Sequence, residues 1–286
     1  MTTENASTIE AWNGVLFDKF VRYRDVVIRG LSNHGDRLLE RVPPTAGARV
    51  LDIGCGFGDM TRRLAELVGP RGSAVAVDAA SRFVNAARQE AASAGVTNAS
   101  FFVADVQIDD LQGPYDFAFS RFGTMFFQAP VAAFRNLARS LKPGGRLGMV
   151  VWRRREDNAW LHDSQVAVRA IIPEEAESKD EVTCGPGPFS MANADLVSSQ
   201  LLAAGFTDVV LERYDADIRV GASIDEVVEI GMDIGPAGEI IRLAGEIGQQ
   251  KKAEIVAALR EVSKKYLRPG GAFAPSSTWI VSATRP

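Results

Sequence analysis

Between residues 48 and 152 short apolar runs alternate with amphipathic stretches, and that alternation leaves few folds open. ARVLDI (48–53), SAVAVD (73–78), ASFFVAD (99–105), YDFAFS (115–120) and GRLGMVVW (145–152) read as strands. DMTRRLAELV (59–68), SRFVNAARQEAASAG (81–95) and VAAFRNLARSL (131–141) carry helical spacing, and Gly95 closes the second. Strands this continuously apolar suit a parallel sheet covered on both faces. Alternation with helices makes the connections right-handed crossovers, so an open α/β sheet is expected.

Before this stretch, residues 1–45 read as two helices stopped by VPP (42–44). After it, 153–172 reads as a helix, CGPGPF (184–189) as a loop, 193–206 as a helix and 207–220 as a strand. A helical insertion follows, marked by Ile255, Leu259, Val262 and Tyr266, and STWIVSAT (277–284) closes the chain as a strand. The two late strands are expected to form an antiparallel hairpin at the sheet edge. The expected whole is an α/β fold: an open, doubly wound, mostly parallel seven-stranded sheet with that edge hairpin and helical lid insertions. One domain is expected over 1–286, with an N-terminal helical lid (1–45), a ligand-binding core (46–152) and lid insertions with closing strands (153–286).

VLDIGCGFGDM (50–60) sets Gly54, Gly56 and Gly58 at every second position directly after the first strand. That turn lies at the carboxyl edge of the sheet, where open α/β folds bind ligands. Glycine lets the chain turn tightly and lets a ligand approach the backbone. The dinucleotide fingerprint Gly-x-Gly-x-x-Gly would need glycine at position 59, which is Asp59. As a helix cap Asp59 would use the N–H donors that a pyrophosphate wants, so the loop suits a ligand without phosphate there. Asp78 ends the second strand and can accept both hydroxyls of a ribose. Asp105 ends the third run, where a carboxylate can accept from an adenine amino group while the Val106 N–H bonds a ring nitrogen.

These residues carry a resemblance. Residues 48–152 resemble the class I S-adenosylmethionine-dependent methyltransferases, with VLDIGCGFG as their first motif, AVAVD as their second and LKPGG as the turn before the fifth strand. AWNG (11–14), FSRFGTMFF (119–127), GPGPF (185–189) and AAGF (203–206) resemble the branch related to ubiquinone/menaquinone-biosynthesis methyltransferases. The resemblance implies S-adenosyl-L-methionine as cofactor. It lays Gly54 to Gly58 along the methionine part, has Asp52 support the loop, and gives Asp78 the ribose and Asp105 the adenine. Ala79, Phe83, Val106 and Ser120 complete the implied cofactor set. Phe83 stands where methionine is common and Ala80 where serine is common.

On the acceptor side, alignment and exclusion of water are the main demands, which suits an aromatic lid. Trp12, Phe17, Phe20, Tyr23, Phe122, Phe126, Phe127, Trp152 and Trp160 fall where a lid is expected; any single one reads as core, except in FSRFGTMFF (119–127), which leaves the carboxyl edge of the sheet beside the cofactor. A formal net charge of −4 and SRFG (120–123) after the fourth strand, in place of an Asn/Asp-Pro-Pro-aromatic motif, argue against nucleic acid. Two distant cysteines, Cys55 and Cys184, argue against a metal site or an arsenite-type acceptor. The N-terminus lacks signal-peptide character, and no run of about 18 apolar residues would span a membrane, so a cytoplasmic protein is expected. A small organic acceptor remains, with assembly as a homodimer left open. A hydroxyl acceptor needs a base, and the two histidines, His34 and His162, are the catalytic candidates. RRR (153–155) reads as a solvated helix start or a grip on an acidic acceptor. Two other readings stand beside this one: an NAD(P)-dependent oxidoreductase, and a non-catalytic adenosylmethionine-binding protein.

Overall fold

The computed structural model describes residues 5–174 and 186–286, so Cys184 and Gly185 lie outside the described residues. Four short helices open it: α1 (Ala6–Asn13), α2 (Val15–Arg22), α3 (Arg24–Gly30) and α4 (Ser32–Arg41). They replace the two expected helices. Gly14 separates the first pair, and α3 ends on Gly30, a residue set by packing. A Cβ on Gly30 would sit 2.5 Å from the Arg219 carbonyl oxygen, so the chain passes that strand only as glycine.

The alternating core follows as β1 (Arg49–Ile53), α5 (Asp59–Val68), β2 (Ser73–Asp78), α6 (Ser81–Ser93), β3 (Ala99–Val103), β4 (Tyr115–Arg121), α7 (Pro130–Ser140) and β5 (Leu141–Trp152). β5 begins earlier than expected, and its register with β4 breaks between Tyr115 and Phe117. Then come α8 (Ala159–Arg169), α9 (Ala194–Ala203), β6 (Thr207–Gly221), α10 (Ile224–Asp233), α11 (Gly235–Leu243), α12 (Glu246–Gln250), α13 (Lys252–Ser263), β7 (Leu267–Arg268) and β8 (Gly271–Thr284). The sheet order is β3-β2-β1-β4-β5-β8-β6, with two-residue β7 paired to β8. β1 to β5 run parallel, and β8 lies antiparallel to both β5 and β6. The seven long strands and the antiparallel edge are as the sequence predicts.

Alternation along each strand sends side chains to two cores. Leu51, Ile53, Val75 and Val77 face α7 and α9 through Phe134, Leu137 and Leu201. Val50, Ala74, Phe117 and Phe119 face α4 and α5 through Leu38, Leu39 and Leu64. The helices α8, α10, α11 and α13 bury a further core of their own, built on Val168, Val228, Ile240, Ile255 and Leu259. The stripe at Ile255 and Leu259 thus packs on other helices and not on the sheet.

β8 starts at Gly271, six residues before the expected STWIVSAT. Pro275 is tolerated there, opposite Asp217, because β5 has already ended at the Trp152–Thr278 pair. On that open side Asn158 takes over from the missing strand. Its Nδ2 donates to the Ser277 carbonyl at 3.1 Å and its Oδ1 accepts from the Ser277 N–H at 2.9 Å, with no exposure to solvent. Asn158→Ala would leave the Ser277 N–H without its partner, while the Ser277 carbonyl keeps the Arg153 N–H at 3.1 Å, and is expected to cost about 1–3 kcal/mol, read as a lower midpoint in urea unfolding.

Candidate active site

The carboxyl ends of β1 to β4 converge on one edge. Gly54, Gly56 and Gly58 all hold positive φ, at 66°, 53° and 72°. Each meets a different demand. A Cβ on Gly54 would lie 3.0 Å from Gly123 Cα, on Gly56 it would meet nothing within 4 Å, and on Gly58 it would lie 2.9 Å from Ala87 Cβ. Gly54 therefore serves loop-to-loop contact, Gly56 leaves backbone open to the crevice, and Gly58 lets α5 approach α6.

Asp78 holds the loop from the next strand. Its Oδ2 accepts the Gly56 N–H at 3.1 Å and its Oδ1 accepts the Ala80 N–H at 2.9 Å. Burial pushes its pKa above the ordinary carboxylate value, against the pull of those N–H groups. Asp52 lies beneath the loop, where Thr61 Oγ1 donates to it at 2.6 Å and ties β1 to α5. Burial first, with the charges of Asp59 and Asp78 adding, pushes its pKa up to about 7. Asp105 accepts from the Gln107 N–H at 2.9 Å and from Asn5 Nδ2 at 3.1 Å.

A cavity of about 690 Å³ opens over this edge. Gly54, Gly56, Asp78, Ala79, Phe83, Asp105 and Val106 line it, so seven of the expected cofactor residues meet in one wall. Asp52, Gly58 and Ser120 stand behind that wall. Ser120 is fully buried, and its hydroxyl donates to the Ile53 carbonyl at 2.9 Å, which joins β4 to β1. The opposite wall comes from α1 to α3, the loop after β4, α8, Pro186–Phe189, α10 and α11. Phe83 packs against Phe17 at 4.8 Å and Phe57 at 5.1 Å between ring centroids, and Trp12 packs against Phe126 at 4.9 Å.

Neither histidine is among the lining residues. His34 is wholly buried behind Phe122 and Trp152, with ring centroids 5.5 and 5.7 Å away, and its Nε2 bonds Ser276 Oγ at 3.0 Å. Burial, and then the nearby Arg121 charge, lower its pKa to about 4. On α8 the residues Trp160, Leu161, Gln165 and Arg169 face the cavity, and His162 turns away from that stripe. Asp59 also departs from expectation. α5 has no side-chain cap; Asp59 instead accepts Arg121 Nη2 at 3.0 Å through Oδ1 and at 2.8 Å through Oδ2. Two lining residues were not among the expected site residues, although Arg121 lies in the FSRFGTMFF stretch. Asn5 and Arg121 each carry a buried polar atom, Oδ1 and Nη1, without a hydrogen-bond partner. Only the fold, which brings the N-terminus to β3 and the end of β4 to α5, reveals them.

A methyltransferase-domain model matches residues 50–145. Over 191 residues the chain is 31% identical to nocamycin O-methyltransferase of Saccharothrix syringae, covering 64% of this chain and 68% of that protein. This chain belongs to the S-adenosylmethionine-dependent methyltransferases. It is also 34% identical over 114 residues to aklanonic acid methyltransferase of a Streptomyces strain. Identity to the ubiquinone/menaquinone biosynthesis C-methyltransferase of Pseudomonas aeruginosa is 35% over 115 residues. Each of these two alignments covers 40% of this chain, and they span 52% and 45% of the relatives' lengths. Among solved structures, the YcgJ protein of a Bacillus superposes with a TM-score of 0.56 at 17% identity, covering 89% of this chain and 98% of that one. A Haemonchus contortus N-methyltransferase, solved with S-adenosylhomocysteine, gives 0.52 at 17% identity, covering 89% and 52%. These two likenesses show the shared fold. The methyltransferase therefore uses S-adenosylmethionine, and the nicotinamide reading falls away. Among the described residues no helix is long and apolar enough to cross a membrane.

Neither histidine of the methyltransferase lines the cavity, and His34 gives a pH signature. Its folded pKa of about 4 lies below the ordinary 6.5, so the unfolded chain takes up a proton first as pH falls. Its contribution is complete above about pH 6.5 and fades toward pH 4, by about 3 kcal/mol in all. His34→Gln should flatten that part of the acid limb in urea unfolding. Methyl transfer by His34→Gln and His162→Gln should keep the parent pH profile between about pH 6 and 9, measured as kcat.

Proposed function

We propose that the methyltransferase acts on a small, largely apolar organic acceptor held in the cavity wall opposite the strand ends. One observation carries this: a single cavity joins the strand-end carboxylates to a wall of Trp12, Phe20, Phe126, Phe127, Trp160 and Phe189. The relatives named for nocamycin, aklanonic acid and quinone biosynthesis support a small-molecule acceptor over nucleic acid.

The residues present fit the cofactor. Asp78 is offered to the ribose hydroxyls and Asp105 to the adenine amino group. The Asn5 Oδ1, buried and unpartnered beside Asp105, suits the second hydrogen of that amino group. S-adenosylmethionine supplies a methyl group on a positively charged sulfur, open to direct displacement. The chain's part is then to hold the acceptor atom within about 3–3.5 Å of that methyl and keep water out. The aromatic wall does both. With His34 and His162 outside the cavity, alignment carries the reaction, and no histidine takes the acceptor proton. Among the described residues, 5–45, 153–174, 186–190 and 222–270 act as the cover of this cavity.

The acceptor is found by incubating the enzyme with methyl-labelled cofactor and a library of small apolar and aromatic molecules, reading product mass. The cofactor assignment is read by calorimetry. Asp78→Ala should weaken S-adenosylhomocysteine binding about ten- to a hundredfold, the weight of hydrogen bonds to a charged group. Unchanged affinity in a folded variant would remove the ribose role.

A further inference from the structure

The sheet order lines up the strand ends as β3, β2, β1 and β4. Asp105 follows β3, Asp78 ends β2, the glycine loop follows β1, and Arg121 ends β4. A ligand with adenine at Asp105 and ribose at Asp78 therefore runs along the glycine loop and brings its far end to Arg121. Asp59 opens α5 at the same place and pairs with Arg121. Both side chains line the cavity, at 11% and 16% exposure.

The pair is left incomplete in a specific way. Arg121 spends Nη2 on Asp59, and its Nη1 is buried with no hydrogen-bond partner. A buried guanidinium N–H without an acceptor is costly, and a carboxylate meets it with charge-assisted geometry. Asp59 is a carboxylate that no helix-cap bond uses. The other charged neighbours do not replace it as a partner for Arg121. Asp52 is turned to Thr61, Asp78 to Gly56 and Ala80, and His34 is kept neutral by burial. The site thus offers one free donor on a cation beside one anion, the complement of an amino-acid zwitterion.

We propose that Arg121 and Asp59 form the clamp for the amino-acid end of the cofactor, Arg121 Nη1 donating to the carboxylate and Asp59 accepting from the ammonium. The proposal rests on the cofactor reading above. It also explains why position 59 is acidic. The residue serves the ligand and not the helix.

Calorimetry on the full chain separates the possibilities with three ligands: S-adenosylhomocysteine, its decarboxylated analogue, and 5′-methylthioadenosine, which lacks the whole amino-acid end. Arg121→Gln should weaken S-adenosylhomocysteine about ten- to a hundredfold and leave the other two within about twofold of the parent. Asp59→Asn should weaken S-adenosylhomocysteine and the decarboxylated analogue, both of which carry the ammonium, and spare methylthioadenosine. Arg121→Lys, which keeps the charge beside Asp59 but loses the planar second N–H, tests the same step where the glutamine variant does not fold. Equal losses for all three ligands would make the pair structural and overturn the proposal, and so would no loss for any. A parent protein that binds none of the three would overturn the cofactor reading and the clamp with it.

Discussion

Two backbones that touch hold the crevice in place. A Cβ on Gly54 would lie 3.0 Å from Gly123 Cα, and one on Gly123 would lie 2.9 Å from the Ile53 carbonyl oxygen. The loops after β1 and β4 therefore pack with no side chain between them. The sheet order is what brings them together: from β1 the chain reaches β2 on one side, and β4 flanks the other. Loops that leave in opposite directions open a crevice at such a point, and ligands bind there in this class of sheet. Everything placed around it inherits the contact. Asp78 reaches the Gly56 N–H only because Gly56 is held at the crevice floor, and Arg121 meets Asp59 only because their two loops are in register.

The legible part of the site is the part that depends on strand ends. A residue at the end of an apolar run stays at the sheet edge whatever the rest of the chain does. That is why Asp78, Ala79, Asp105 and Val106 were found with the glycine loop. The illegible part depends on pairing between distant segments. His34 was one of the two candidate bases, but the position of a helix in the sequence does not say which face a residue takes. The α4 face carrying His34 turns inward to Ser276, a residue of a strand 242 positions later. Ser120 sits on the favoured edge, yet strand alternation points it into the sheet, at Ile53. Asp59 had a good local reading as a cap, and a partner 62 positions away took it instead. The fold shows the same division. Alternation over residues 48–152 made the parallel sheet plain, whereas the start of β8 was hidden by glycine and proline that are tolerated only because β5 has ended.

The cover of the cavity is tied by contacts of unequal weight, and that inequality bears on how ligands enter. Tyr23 donates to Asp233 at 2.5 Å and Lys19 to the Asp233 carbonyl at 2.7 Å, joining the N-terminal helices to α10. Burial, helped by that bond to Asp233, raises the Tyr23 pKa, so it stays a donor. Around this partly buried bond Arg22 adds pairs to Glu229 and Asp233 that are largely exposed, and such pairs contribute little in water. At the other end of the N-terminal segment Asn13 Oδ1 accepts from Ser81 Oγ and the Arg82 N–H, also at the surface. The cover is thus positioned by many polar contacts and stabilised by few. For the proposed cover this is the arrangement that would let it part at small cost: water can replace rim bonds of this kind, while an aromatic interior favours contact around an apolar ligand.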